Sequence, residues 1–384
     1  MIDKIKEIFR QKFSCQPIIV RSPGRINIIG EHTDYNEGFV LPAAIDKAIY
    51  VAISKRADSN IHLYAANFNE SFEVALADIK PTNNWATYIL GVVDQLVKRG
   101  YAIGGFNLVL DGDVPVGAGL SSSAAVECAV VFALNELFAL GIDKMEMVGI
   151  AQKAEHTFSG VMCGIMDMFA SMFGKKDQVI KLDCRSLDYE YKPLQLDGYK
   201  LVLFNTNVKH SLSSSAYNTR RQQCEQGVAW VQQYHPAIKS LRDVTMQMLD
   251  ECVAVKDKII YQRCKYIVEE IQRLLTGCDD LQNGHINALG KKMFQTHEGL
   301  SKEYEVSCKE LDFLVNAVKN NPAVLGARMM GGGFGGCTIN IIKEGAVDQL
   351  IEQLASSYKK EMQLDLSAYT VATANGTERI NDKV

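Results

Sequence analysis

Pro115-Val116-Gly117-Ala118-Gly119-Leu120-Ser121-Ser122-Ser123-Ala124 joins a strand candidate at Phe106 to Leu110 to the apolar helix candidate Ala124 to Leu140. Glycines let backbone N–H groups approach an anion, and a helix starting there offers free N–H groups and the positive end of its dipole. The stretch therefore reads as a phosphate cradle, or as an ordinary strand-to-helix turn with serine N-caps. A Walker A loop is excluded, because Ser122 and Ser123 stand where its lysine would be. A dinucleotide fingerprint wants a third glycine and an acidic residue about twenty positions on, which here falls inside the helix near Glu136. Val51-Ala52-Ile53-Ser54 has a serine where the protein-kinase strand carries lysine, and the chain contains no His-Arg-Asp or Asp-Phe-Gly. With no lysine in the loop, phosphate charge must be met by Mg²⁺, the helix end and an arginine from elsewhere. Ser123 is a candidate metal ligand, and hard Mg²⁺ wants a carboxylate beside it.

The chain around this loop has 384 residues, at about 150 per domain enough for two domains. Apolar residues make up 47% and charged residues 22%, which suits a large buried core. Lys and Arg total 41 against 45 Asp and Glu, a formal charge of −4 with no sign block, so a nucleic-acid clamp is not expected. Ile2, Ile5, Phe9 and Phe13 recur at helical spacing among charges, an amphipathic helix and not an export signal. The most apolar helix candidate is interrupted by Glu127, Asn135 and Glu136 and is shorter than the ~20 residues a bilayer needs. Ten cysteines without a C-x-x-C motif read as reduced thiols of a cytoplasmic protein, so the Asn69 and Asn375 sequons carry no weight.

Strands are expected at Ile18 to Val20, Ala48 to Ser54, Tyr64 to Val74, Gly326 to Ile342 and Tyr369 to Ala374. Helices are expected from Trp85 to Val97, stopped by Gly100, at Met145 to Phe158 and Met166 to Phe173, and through the polar run Tyr217 to Leu275. The interleaving lacks a regular β-α-β period, which favours α+β over a doubly wound sheet. A composition shift near Asp183 to Pro193 marks a domain boundary and gives two units, 1–185 and 186–384.

Two further stretches concentrate polar chemistry. Arg21-Ser22-Pro23-Gly24-Arg25-Ile26-Asn27-Ile28-Ile29-Gly30-Glu31-His32-Thr33-Asp34-Tyr35-Asn36-Glu37-Gly38 sets carboxylates, an imidazole and backbone groups on one glycine-bounded hook. A sugar is a ring of hydroxyls that each donate and accept, so Glu31, His32 and Asp34 are candidate sugar contacts. The same text also reads as a solvated Asx turn at Asp34 to Gly38 with Arg25 in a surface ion pair. The second stretch runs from Glu155-His156 to Gly164-Ile165-Met166-Asp167. Asp167 falls in the first turn of a short helix, where a dipole favours any carboxylate, and it could equally take the proton of an attacking hydroxyl. Glu155 could supply the carboxylate that a metal at Ser123 lacks, or lie on a solvated helix face.

These stretches occur in this order together with Gly331-Gly332-Gly333-Phe334-Gly335-Gly336-Cys337-Thr338, Glu303-Tyr304-Glu305-Val306-Ser307 and Arg263-Cys264-Lys265. The combination resembles the GHMP small-molecule kinases, and Gly24 to Pro42 looks like the signature of the members that phosphorylate galactose. The resemblance covers almost the whole chain. It implies an N-terminal α+β domain like that of ribosomal protein S5, with a left-handed crossover, a ferredoxin-like C-terminal domain, and an active site between them. The implied reaction moves the γ-phosphate of ATP to the anomeric hydroxyl of α-D-galactose, giving galactose 1-phosphate for the Leloir pathway. By matching letters, Arg25 and Asp167 resemble the catalytic pair. Glu31, His32, Asp34, Gly164, Asp167 and Tyr217 resemble the sugar contacts. Gly117, Ala118, Gly119, Leu120, Ser121, Ser122 and Ser123 resemble the ATP loop, with Trp85 near the base, and Ser123 and Glu155 resemble the Mg²⁺ ligands. Trp85 also reads as a core helix residue, and the Gly331 loop as tight strand-connecting packing.

Met168 stands where such enzymes commonly carry glutamine, and Met330 where a hydroxyl residue is usual. The resemblance implies galactose and MgATP as partners, no nucleic acid, no membrane, and a monomer. The rivals are an N-acetylgalactosamine kinase, a non-enzymatic sugar and nucleotide sensor on the same scaffold, and a dinucleotide oxidoreductase.

Overall fold

The computed structural model describes residues 1–115, 117–208 and 213–381, so Val116 of the glycine-rich loop lies outside the described residues. In chain order it has α1 (Ile2–Phe13), β1 (Ile18–Asn27), β2 (Phe39–Val40), β3 (Pro42–Lys55), β4 (Asn60–Ala65), β5 (Glu70–Ala75), α2 (Ala86–Lys98) and β6 (Phe106–Gly112). Next come α3 (Ser122–Phe138), α4 (Lys144–Ala154), α5 (Met166–Phe173), β7 (Gln178–Asp183), β8 (Tyr189–Pro193) and β9 (Tyr199–Asn205). The remainder is α6 (Ser213–Gln232), α7 (Met246–Cys252), α8 (Lys258–Gln282), α9 (Ile286–Lys302), α10 (Lys309–Val318), β10 (Val324–Met329), β11 (Cys337–Lys343), α11 (Val347–Met362), β12 (Ser367–Val371) and β13 (Glu378–Ile380).

The first sheet has the order β13-β1-β3-β6-β4-β5, with β4 and β6 parallel and the other pairs antiparallel. One face is covered by α1, whose Ile5 and Phe9 are fully buried with Ile19, Ala52 and Val109. At roughly 1.5–3 kcal/mol per fully buried large side chain, those two residues anchor the amphipathic helix expected from their spacing. On the other face α3 packs against β1, β3, α2, α4 and α5. Such a helix must be apolar all round, so its composition reflects burial in protein. No helix among the described residues is long and apolar enough to cross a membrane.

The second sheet, β10-β11-β9-β12, is antiparallel throughout. Its chain order of strand, helices, two strands, helix and strand is the split β-α-β of a ferredoxin-like domain. Small sheet β2-β7-β8 adjoins them. The composition shift at Asp183 to Pro193 falls on the β7–β8 hairpin.

Three expected elements are subdivided. The strand expected at Tyr64 to Val74 is a hairpin, turning where Asn69 adopts φ 54, a left-handed conformation asparagine tolerates. The long run from Tyr217 breaks into helices restarted by side-chain caps: Thr245 accepts from Met248 N, and Asp257 accepts from Ile259 N and Ile260 N. The helix expected to reach Phe158 leaves α geometry at Glu155 and continues as a π-turn, Glu155–Ser159, closed by Gly160 at φ 71. Such turns gather at functional sites because they re-aim side chains.

Candidate active site

Arg25 stands where the pairing of β1 with β3 shifts register between Pro23 and Arg25. An irregularity of that kind turns a side chain out of its regular alternation. The guanidinium meets Asp167 in two parallel bonds, Nε to Oδ1 at 2.7 Å and Nη2 to Oδ2 at 3.0 Å, and its Nη1 donates to the Gly119 carbonyl at 2.6 Å. With its side chain 4% exposed, Arg25 is not the surface ion pair of the alternative reading. Burial works against its charge, and Asp167 more than offsets that, holding its pKa above the ordinary value.

The glycine-rich loop is fastened to this pair. Ser121 precedes α3 in a left-handed conformation, φ 55, and makes no side-chain cap. Its hydroxyl donates instead to Asp167 Oδ2. The first-turn N–H groups of α3, which have no partners within the helix, therefore keep their capacity for an anion. Gly119 (φ 72) and Gly331 (φ 82) bring two glycine loops together backbone to backbone: a Cβ on Gly331 would lie 3.2 Å from the Gly119 carbonyl oxygen. The Gly331 loop therefore shapes the cleft wall, as the packing reading had it.

On the hook, Glu31 is 1% exposed and fully engaged. Its Oε1 accepts from Gly331 N at 2.6 Å and Arg328 Nη1 at 3.1 Å, and its Oε2 from Asn27 Nδ2 at 2.5 Å. His32 has a buried Nε2, with the Gly332 backbone within hydrogen-bonding reach of the ring, and burial drops its pKa to about 4. The Asx-type turn exists, with Tyr35 N donating to Asp34 Oδ1 at 2.9 Å, yet it buries Asp34 in the cleft. Burial, and after it the charge of Asp167, pushes the Asp34 carboxyl up to about 7. Gly164 is packed against that carboxyl so closely that a Cβ would sit 1.8 Å from Asp34 Oδ2. Tyr217 completes the wall, its ring centroid 5.2 Å from that of His32.

One cleft of about 330 Å³ is lined by Arg25, Glu31, His32, Asp34, Gly164, Asp167 and Tyr217 together with Gly117, Gly119, Leu120, Ser121, Ser122 and Ser123. Ala118 of the same loop is fully buried beneath it. Trp85 lies outside that cleft. It precedes α2, donates from Nε1 to Glu70 Oε2 at 2.9 Å, and lines an adjoining cavity that shares Ser122 and Ser123. Met168 is packed in the core, and Met330 is buried in the cleft wall.

Glu155, carried by the π-turn, is 6% exposed and not on a solvated face. It bonds the Ser123 hydroxyl and pairs with the carboxyl of Glu127, one turn beyond Ser123. Burial pushes both carboxyls up. Two buried carboxyls set against each other beside a hydroxyl, at the head of α3, suit a hard divalent cation. Among the described residues no group of three or more His, Cys, Asp or Glu forms a closed metal cage.

Sequence reasoning did not find the bond from Ser121 to Asp167, Glu127, or Arg328. Arg328 is wholly buried, donating from Nε to Ile28 O at 2.8 Å and from Nη1 to Met329 O at 2.6 Å. An arginine inside the apolar stretch Val324 to Met329 was the available signal, since a buried charge requires partners.

Comparison with known proteins identifies the family. Residues 7–55 match the galactokinase galactose-binding signature, 87–175 the GHMP kinases N terminal domain, and 279–360 the GHMP kinases C terminal model. The chain is 44% identical to the galactokinase of Thermotoga petrophila over 94% of its length and 99% of that protein. It is 40% identical to that of Clostridium acetobutylicum over 99% of its length and 98% of that protein. The crystal structure of Lactococcus lactis galactokinase complexed with galactose superposes with a TM-score of 0.94 at 32% identity, covering 99% of this chain and 100% of that one. The Methanococcus jannaschii mevalonate kinase, with a TM-score of 0.63 at 19% identity over 94% of this chain and 99% of that one, shares the fold. With a sugar-binding signature, both kinase domains and near full-length identity agreeing, the chain belongs to the galactokinase family of GHMP kinases, phosphotransferases that use ATP.

Proposed function

We infer that the chain transfers the γ-phosphoryl group of ATP to the anomeric C1 hydroxyl of α-D-galactose, giving galactose 1-phosphate and ADP. The observation that carries this reading is the pair of the buried Arg25 with the half-buried Asp167, which touches the phosphate loop through Gly119 and Ser121 and opens on the cleft lined by His32, Asp34 and Gly164. Asp167 Oδ1 accepts one bond from Arg25 and keeps a lone pair for the sugar hydroxyl. Arg25 stabilises charge on the transferring group. Most of the acceleration then comes from positioning and electrostatics, as a loose transition state requires. The head of α3 takes the phosphates, and the Trp85 cavity takes the adenine. Ser123 and Glu155 are the ligands we assign to Mg²⁺, which when bound neutralises phosphate charge.

We divide the chain at 185/186 for this purpose, although the β7–β8 hairpin spans that point and β13 returns to pair with β1. We take the protein to work as a monomer. Ten free thiols support a reducing, cytoplasmic setting.

ADP release measured with a panel of hexoses, with and without Mg²⁺, tests the reading. Galactose is expected to be turned over and glucose to be poor, because each buried polar group left unpaired by the wrong epimer costs ~1–3 kcal/mol. Equal turnover of the two sugars would contradict the pocket assignment, ADP release with N-acetylgalactosamine alone would favour that rival, and no release with any sugar would favour the sensor. A second expected result concerns Gly164→Ala. The new methyl group must displace the Asp34 carboxyl, so galactose binding by calorimetry is expected to fall by at least about the tenfold value of one hydrogen bond. Unchanged affinity would remove Asp34 from the sugar site.

A further inference from the structure

The stretch Glu303-Tyr304-Glu305-Val306-Ser307 has no part in the steps above, yet it is held with care. Arg220 donates from Nε to the Tyr304 carbonyl at 2.6 Å and from Nη2 to that of Glu305 at 2.9 Å, while Arg263 bonds the Glu303 carbonyl and the Glu305 carboxylate. What these bonds fix is the fully buried Tyr304 ring. Its hydroxyl lies 3.2 Å from Cys224 Sγ and 2.7 Å from the Tyr35 hydroxyl, which in turn lies 2.7 Å from His32 Nδ1. The chain ends at an imidazole whose other nitrogen, Nε2, is buried and belongs to a residue of the cleft wall, with the Gly332 backbone also against the ring.

Cys224, Tyr304 and Tyr35 each carry one hydrogen, so an arrangement that leaves no phenol hydrogen unused runs in one direction along the whole chain. Sulfur is the weakest acceptor of the four groups and a neutral imidazole nitrogen the strongest. The favoured direction therefore runs from the thiol through both phenols into His32 Nδ1. His32 is neutral in this surrounding, because burial has taken its pKa to about 4, so its one remaining hydrogen sits on Nε2.

We propose that the Cys224–Tyr304–Tyr35 chain locks His32 in the Nε2–H tautomer, making Tyr35 and Tyr304 positioning residues that set which sugar hydroxyl the cleft accepts. A donor-only His32 must meet a hydroxyl oxygen whose own hydrogen points elsewhere, toward a carboxylate such as Asp34. An imidazole free to exchange tautomers would accept or donate and so discriminate less between epimers. The tautomer lock follows from the protein's own bonds; its consequence for sugar choice rests on the galactose reading of the cleft.

The full chain, labelled with ¹⁵N-histidine and free of ligand, separates the two parts. His32 is expected to show an acceptor-type Nδ1 and a protonated Nε2. In Tyr35→Phe this pattern is expected to give way to mixed tautomers, with KM for galactose rising roughly tenfold, the value of one hydrogen bond, and kcat changing less. Tyr304→Phe keeps the ring packing and the Tyr35 hydroxyl, and is expected to move both readouts in the same direction by a smaller amount. A ligand-free spectrum with hydrogen on Nδ1, or mixed tautomers, overturns the lock whatever the enzyme does. A locked spectrum with KM unchanged in Tyr35→Phe overturns the role in sugar choice. A locked spectrum in a protein that turns over no galactose would tell against the galactose reading and leave the lock standing.

Discussion

Asp167→Asn is expected to abolish nearly all turnover while galactose binding survives. The substitution is almost isosteric, and an asparagine oxygen can still accept from Ser121 or from one arm of Arg25, so the cleft keeps its shape. What disappears is the charge that accepts the hydroxyl proton, a contribution of about 10²–10⁴ for a positioned general base. The change also leaves the Arg25 guanidinium, 4% exposed, without its anion. Uncompensated buried charge is destabilising in its own right. Turnover should therefore be compared with calorimetric sugar binding and a thermal melt on the same sample. Retention of most of the activity would show that the proton has another destination and that Asp167 only orients the hydroxyl.

Arg25→Ala is the second large effect. By analogy with arginine-assisted phosphoryl transfer, a loss of ~10³–10⁵ in kcat is expected. Arg25→Lys should recover little of it, because an ammonium cannot reproduce the two parallel bonds to Asp167 and the third to Gly119. Removing the arginine also leaves Asp167 beside Asp34 with nothing to offset their repulsion, which disturbs the sugar side of the cleft as well. The double variant with Asp167→Asn is accordingly expected to be far less impaired than the product of the two single losses. A change below tenfold in Arg25→Ala would refute its role in transfer.

The glycine-rich loop was legible because its meaning is local: positive φ at Gly117 and Gly119, and a helix that begins at Ser122. So were α1 and α5, whose periodic apolar residues match the faces that the folded chain buries. The choice between paired readings was not legible. Arg25 as surface ion pair or catalytic partner and Glu155 as solvated face or metal carboxylate differ only in what distant chain comes to lie beside them. Glu127 and Arg328 were missed for the same reason, since their residue types inside apolar elements announce a buried partner without naming it.

The amino-acid order alone thus determined the secondary structure around each loop, the apolar faces, and, through its long signature, the family. Only the tertiary structure decided which polar groups meet. Arg25 reaches an aspartate 142 positions away and Arg328 a backbone carbonyl 301 positions away. Backbone propensity and periodicity act over a few residues, whereas these bonds form because packing two sheets and their helices leaves each buried charge one set of partners.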